Sequence, residues 1–109
     1  MSTTVQDTNF TKFEDFWPFY LSQHQDSTCR RLHIVGTTLA LLLAFYSLVL
    51  ARRKKPLNIL LGLVIAYSFA WVGHFFFEQN TPATFKYPMF SLLGDLRMVW
   101  MFYSRQSPW

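Results

Sequence analysis

Two long apolar stretches with a short basic cluster between them dominate the chain. The first, residues 32–50, carries His33 as its one ionisable group apart from tyrosine. The second, residues 57–77, likewise carries only His74. Either stretch, as a helix rising 1.5 Å per residue, reaches across a hydrocarbon core of ~30 Å. Arg52-Arg53-Lys54-Lys55-Pro56 lies between them and predicts a tight basic turn, so the two helices run antiparallel.

The flanks are more polar. Residues 1–9 read as a tail. Pro18 is tolerated in the first turn of a helix but not deep inside one. A short helix is therefore expected to start near Asp15, with Asp15 as its cap. Trp17, Tyr20, Leu21 and His24 then share one stripe, which suits a helix lying in a membrane interface. Asp26-Ser27-Thr28 breaks that helix and offers caps to the next. Residues 79–88 read as a loop with two prolines, and Pro88 can open a last helix to about Tyr103. That helix is apolar but carries Asp95 and Arg97, and it fits a tilted span or an interfacial, partly re-entrant helix equally well. The expected fold is all-α: a small helical membrane protein with two spanning helices in an antiparallel hairpin, an N-terminal interfacial helix and a C-terminal apolar helix. The expected limits are a tail over 1–14, one helical domain over 15–104 and a tail over 105–109.

Composition strengthens the membrane reading. The chain has 109 residues, 51% of them hydrophobic and 19% aromatic, with twelve Phe. A soluble domain of this size has little interior in which to hide so many large side chains, whereas lipid solvates them on the outside. The net charge of +4 is what headgroup-anchoring Lys and Arg produce. Nucleic acid is not an expected partner, because the basic residues do not alternate with aromatics along a polar face. A single cysteine, Cys29, excludes an intrachain disulfide. The N-terminus lacks the pattern of a secretory signal.

The chemistry follows from a count outward from the turn. His33 lies about twenty residues before its centre and His74 about twenty after it, so antiparallel helices place both imidazoles at one membrane depth. Glu78 follows His74 by four residues and is expected on the same helix face. His24 is separated from His33 by a short break, and Asp95 comes from a helix that starts on the same side. Three imidazoles and a carboxylate form a donor set for a borderline divalent metal, of the kind iron oxygenases use. Ionisable groups at membrane depth are costly and mark function by default. Bland roles compete. His33 and His74 can bond backbone carbonyls, Glu78 can end a helix in water, Asp95 can pair with Arg97 or Arg30, and the basic turn can be a topological anchor.

Four segments carry a family resemblance. They are Tyr20-Leu-Ser-Gln-His24, Arg30-Arg-Leu-His33-Ile-Val-Gly36, Trp71-Val-Gly-His74-Phe-Phe-Phe-Glu78-Gln-Asn80-Thr-Pro82-Ala-Thr84 and Pro88-Met-Phe-Ser91-Leu-Leu-Gly-Asp95. Together they resemble the Mpo-like family of small membrane proteins, over roughly residues 16–100. The resemblance implies an iron(II)-dependent dioxygenase that shortens a 2-hydroxy fatty acid by one carbon with molecular oxygen, a step of fatty acid α-oxidation. It maps motif histidines onto His24, His33 and His74, and a Glu-x-Asn-x-Pro stretch onto Glu78, Asn80 and Pro82. Cys29 departs from the pattern, which has Asn there in many relatives.

Geometry and resemblance lead to one expected site. Iron(II) is held by His24, His33 and His74, with Glu78 as a fourth ligand or as the group orienting His74. Arg30 or Arg31 holds the substrate carboxylate, and Asp95 and Asn80 support ligand or substrate. The partners are a 2-hydroxy fatty acid, O2 and the lipid bilayer; no protein partner is legible. Two rival readings remain: a b-type haem electron carrier with His33 and His74 as axial ligands, and a non-enzymatic lipid-binding or assembly protein. The expected location is a bacterial inner or plasma membrane, or the endoplasmic reticulum in a eukaryote. Topology stays open, because Lys12, Arg30, Arg31 and Lys86 balance the basic turn.

Overall fold

The computed structural model describes residues 6–50 and 56–107. The basic turn expected at Arg52–Lys55 lies outside the described residues. Four α-helices, and no strand among the described residues, make up the chain. Helix α1 spans Phe13–Ser22. Helix α2 spans Ser27–Phe45 and continues as a π-helical segment, Tyr46–Leu50. Helix α3 spans Pro56–Val72 and also continues in π geometry, over Gly73–Glu78. A single 3₁₀ turn, Ala83–Phe85, leads to α4, Pro88–Tyr103.

Helices α2 and α3, with their π-helical ends, are long and apolar enough to cross a membrane. Only 28% and 22% of their most apolar windows are buried within the molecule. The core helix of a water-soluble protein would hide far more; here Leu42, Leu50, Leu57 and Val64 all face outward. At 16 residues α4 reaches only about 24 Å and does not meet the length of an upright span.

Local signals explain the starts. Asp26 caps α2, its side chain accepting from the Cys29 N–H at 2.9 Å. Pro56 and Pro88 each occupy the first residue of a helix, where the missing N–H costs no hydrogen bond. Helix α1 departs from expectation. Its N-cap is Lys12 rather than Asp15, and Pro18 sits inside it. The Phe16 N–H reaches the Lys12 carbonyl at 3.1 Å, which winds the helix one turn earlier. The reason is packing. Phe13 and Phe16 join a cluster of Phe10, Phe19, Tyr87 and Phe90, while exposed Pro18 forfeits a bond on the water side only. The stripe of Trp17, Tyr20 and His24 is buried inside the molecule instead of lying on lipid.

The close-packed core sits at one end of the hairpin, where Phe16, Trp17, Tyr20, Ile34 and Met98 are buried between α1, α2 and α4. The tail also takes part there: Asp7 pairs with Lys86 at 2.9 Å and accepts a short hydrogen bond from the Tyr87 hydroxyl. Gly94 makes the α1–α4 approach possible, because a Cβ there would come within 2.6 Å of the Tyr20 ring.

Candidate metal centre

All three histidines of the chain meet at this packed end. His33 comes from the second turn of α2, His74 from the π-helical end of α3, and His24 from the link between α1 and α2. Their ring centroids lie 4.4, 4.6 and 4.7 Å apart, with interplanar angles of 85°, 74° and 87°. All three are buried, and one ring nitrogen from each lies within 4.8 Å of the others.

The outer nitrogens are each held. His24 Nδ1–H donates to the Tyr20 carbonyl at 2.6 Å, and His33 Nδ1–H to the Cys29 carbonyl at 2.8 Å. His74 Nδ1 meets Asn80 Oδ1 at 2.7 Å. The amide orientation of Asn80 is fixed in turn, since its Nδ2 donates to the Gln23 backbone and side-chain oxygens at 3.1 and 3.0 Å. Asn80 Oδ1 must therefore accept, so His74 carries its proton on Nδ1. Three neutral rings protonated at Nδ1 have bare lone pairs at Nε2. Yet His24 Nε2 and His33 Nε2 stand only 3.1 Å apart. Neither has a proton to share unless one ring is charged, and burial, together with repulsion from His33 and His74, holds His24 well below its ordinary pKa. A metal cation satisfies these lone pairs without protonating a ring, and imidazoles oriented by outer hydrogen bonds are the usual ligands for one.

The enclosed space beside the rings is about 10 Å³, room for roughly one water-sized atom. Trp71, Ser91 and Asp95 also line it. Trp71 Nε1 and Ser91 Oγ are buried and have no hydrogen-bond partner. Unsatisfied buried groups are costly, and these two donors are available to a water, an ion or a ligand in the space they line. Asp95 accepts from the Tyr20 hydroxyl at 2.6 Å, and Tyr20 stacks on His24 with 4.0 Å between centroids. Burial pushes the Asp95 carboxyl up to about 7, with the Tyr20 hydrogen bond opposing.

Several expected site residues sit elsewhere. Glu78 does not join the three histidines and does not orient His74; its Oε1 accepts from the Asp26 N–H at 2.8 Å. Glu78 is the last residue of the π-helical segment, and its carboxylate turns to the start of α2 instead of to the imidazole of His74. Gln79 then adopts a left-handed conformation (φ 61°), and the Asn80 N–H returns to the His74 carbonyl at 3.0 Å. That reversal gives Asn80 the orienting role expected of Glu78. Arg30 donates to the His24 and Gln25 carbonyls at 3.0 and 2.6 Å, clamping the link rather than facing the cavity. Arg31 is exposed and lies with Ser27 and Phe102 on another face. Arg97 pairs with Glu14 at 3.3 Å, not with Asp95. Cys29, the departure from the family pattern, holds His33 through its backbone carbonyl, so no side-chain amide is needed for that bond. Trp71 and Ser91 fall within the resembling segments, but the sequence alone assigns them no role. Their spacings, three before His74 and four before Asp95, put them on the same helix faces and could have found them.

No curated protein and no solved structure matches the chain. The protein family described as 2-hydroxy-palmitic acid dioxygenase Mpo1-like matches residues 10–107, nearly the whole sequence and every residue of the histidine cluster. With that coverage, the chain belongs to the 2-hydroxy-palmitic acid dioxygenase Mpo1-like family.

Proposed function

We propose that the protein is a membrane-embedded, iron(II)-dependent dioxygenase that shortens a 2-hydroxy fatty acid by one carbon, with His24, His33 and His74 as the metal ligands. The observation that carries this reading is the convergence of three Nε2 lone pairs whose rings are each anchored through Nδ1. The family's description supplies the substrate class. The outward apolar faces of α2 and α3 support a bilayer location, where such a substrate is concentrated.

Bound there, iron(II) supplies the one-electron chemistry that lets O2 attack a closed-shell acid. The chain's own residues do the rest. Ser91 Oγ–H and Trp71 Nε1–H donate to the carboxylate and hydroxyl of the substrate, which fills their missing bonds. Burial of the rings keeps bulk water away from the reacting carbons. The reaction of this reading balances without a further reactant. A 2-hydroxy acid and one O2 give the acid one carbon shorter, CO2 and water, and O2 takes up all four electrons. The reaction accordingly needs no external reductant.

Haem is disfavoured by the third ring. The three rings form a nearly equilateral triangle with centroids 4.4, 4.6 and 4.7 Å apart, so His33 and His74 do not face each other across a gap that would take a porphyrin.

The test is elemental analysis of gently solubilised protein offered iron(II) without oxygen, wild type beside His33→Ala and His74→Ala. About one iron per chain, lost in both folded variants, is expected. Turnover of 2-hydroxy fatty acids under air, with CO2 released, should follow it. No metal in any sample would overturn the reading and leave a lipid-binding or assembly protein whose histidines are structural.

A further inference from the structure

The histidine cavity and a groove in the membrane-spanning part of the molecule share Asp95 as a wall. On α2, His33 is followed one turn later by Thr37. On α3, Trp71 is preceded one turn earlier by Tyr67. On α4, Asp95 lines both the histidine cavity and the space beyond it. Each of the three helices therefore carries its lining from one space into the next.

The space beyond is a narrow groove of about 150 Å³ between α2, α3 and α4. Small residues make it: Ala40, Ala44, Gly62 and Ala66 line it where large side chains would close it. Its polar side chains, Thr37, Tyr67 and Asp95, all lie at the end nearest the histidines, and everything farther out is apolar. From His33 to Ala44 is eleven residues of helix, about 16 Å, which matches roughly a dozen extended methylene groups.

We propose that this groove holds a single extended acyl chain whose polar head lies at the three histidines, and that Ala44 at its far end sets the longest chain accepted. The proposal rests on the dioxygenase reading for its ligand class. Three observations argue for an acyl chain over a lipid merely resting on the surface: a wall shared with the buried cavity at Asp95, one-ended polarity and a matched length.

The test compares wild type with Ala44→Phe, the gentler Ala44→Leu and a control, Leu42→Phe, whose side chain faces outward at 60% exposure. Iron content is measured in each, followed by turnover of 2-hydroxy fatty acids of graded length. The Ala44 variants should keep their iron and shift the preferred chain shorter by about four carbons, one helical turn's worth, with the larger shift for Phe. Leu42→Phe should match wild type. An unchanged length profile in iron-loaded Ala44 variants would overturn the groove assignment. Absence of turnover at every length, wild type included, would instead sink the dioxygenase reading. In that event a long-chain 2-hydroxy acid with a diazirine at its terminal carbon still decides the groove. Cross-links near Ala44 and Ile59 uphold it, and cross-links confined to outward residues such as Leu42 and Val64 overturn it.

Discussion

Asn80 shows how much one side chain decides at this centre. It accepts from His74 and donates twice to Gln23, so it fixes both a tautomer and the position of the link bearing His24. Removing an outer partner of a ligating histidine typically weakens metal binding by ~10–100-fold. Asn80→Ala should weaken iron binding by that much in a chelator competition, while far-ultraviolet circular dichroism stays that of a folded helical protein. Asp95 is the other decisive side chain, with its carboxyl raised to about 7 in the fold against about 3.9 in the unfolded chain. The native state therefore binds the proton more tightly, and the stability Asp95 contributes falls as pH rises from about 4 through 7. Asp95→Asn cannot ionise. Measured in metal-free protein, its melting temperature relative to wild type should rise between pH 5 and pH 8; a constant difference would mean that Asp95 is not protonated in the fold.

Among the elements, the π-helical end of α3 matters most. It turns His74 inward and sends Glu78 across to the start of α2, where Asp26 uses its side chain to cap Cys29 while its own N–H binds Glu78. The two long helices are thus tied at the end where their histidines meet. Glu78→Ala should cost about 1 kcal/mol of stability, the net worth of one such hydrogen bond, and leave iron stoichiometry at wild-type level. Loss of iron in Glu78→Gln, which keeps an acceptor for Asp26, would instead restore Glu78 as a ligand. Gly73 serves the same junction. A Cβ there would lie 3.1 Å from Cys29 Cα and Sγ, so the close approach of α3 to the residue that holds His33 depends on glycine.

At the scale of the whole molecule, the metal should be a large part of what holds the packed end together. It links three segments that otherwise meet through buried imidazoles with bare lone pairs. A ligand that binds only the native state at a hundred times its dissociation constant adds about 2.7 kcal/mol. Chelation should therefore lower the melting temperature in detergent by several degrees, and iron(II) should restore it. The shift should vanish in His74→Ala.

The sequence by itself determined the all-helical class, the two helices long enough to span, a helix break with caps at Asp26-Ser27-Thr28, the helix start at Pro88, and the meeting of His33 and His74. Those features are periodic or local: apolar runs, an Asp cap, a proline at a first turn, and equal counts from one bend. Only the tertiary structure decided which groups surround the histidines. Counting by fours put Glu78 where Asn80 acts, because neither the pull of the Asp26 N–H on Glu78 nor the left-handed turn at Gln79 leaves a plain mark in the sequence. Propensity placed the start of α1 at Asp15, but burial of Phe13 and Phe16 outweighed the cap and carried Pro18 into the helix. Charge alone made Arg30 a carboxylate binder, and the fold spent it on two backbone carbonyls. Trp71 and Ser91 became conspicuous only when packing buried their polar atoms without a partner, since satisfaction of a hydrogen bond belongs to the assembled site and not to any stretch of chain.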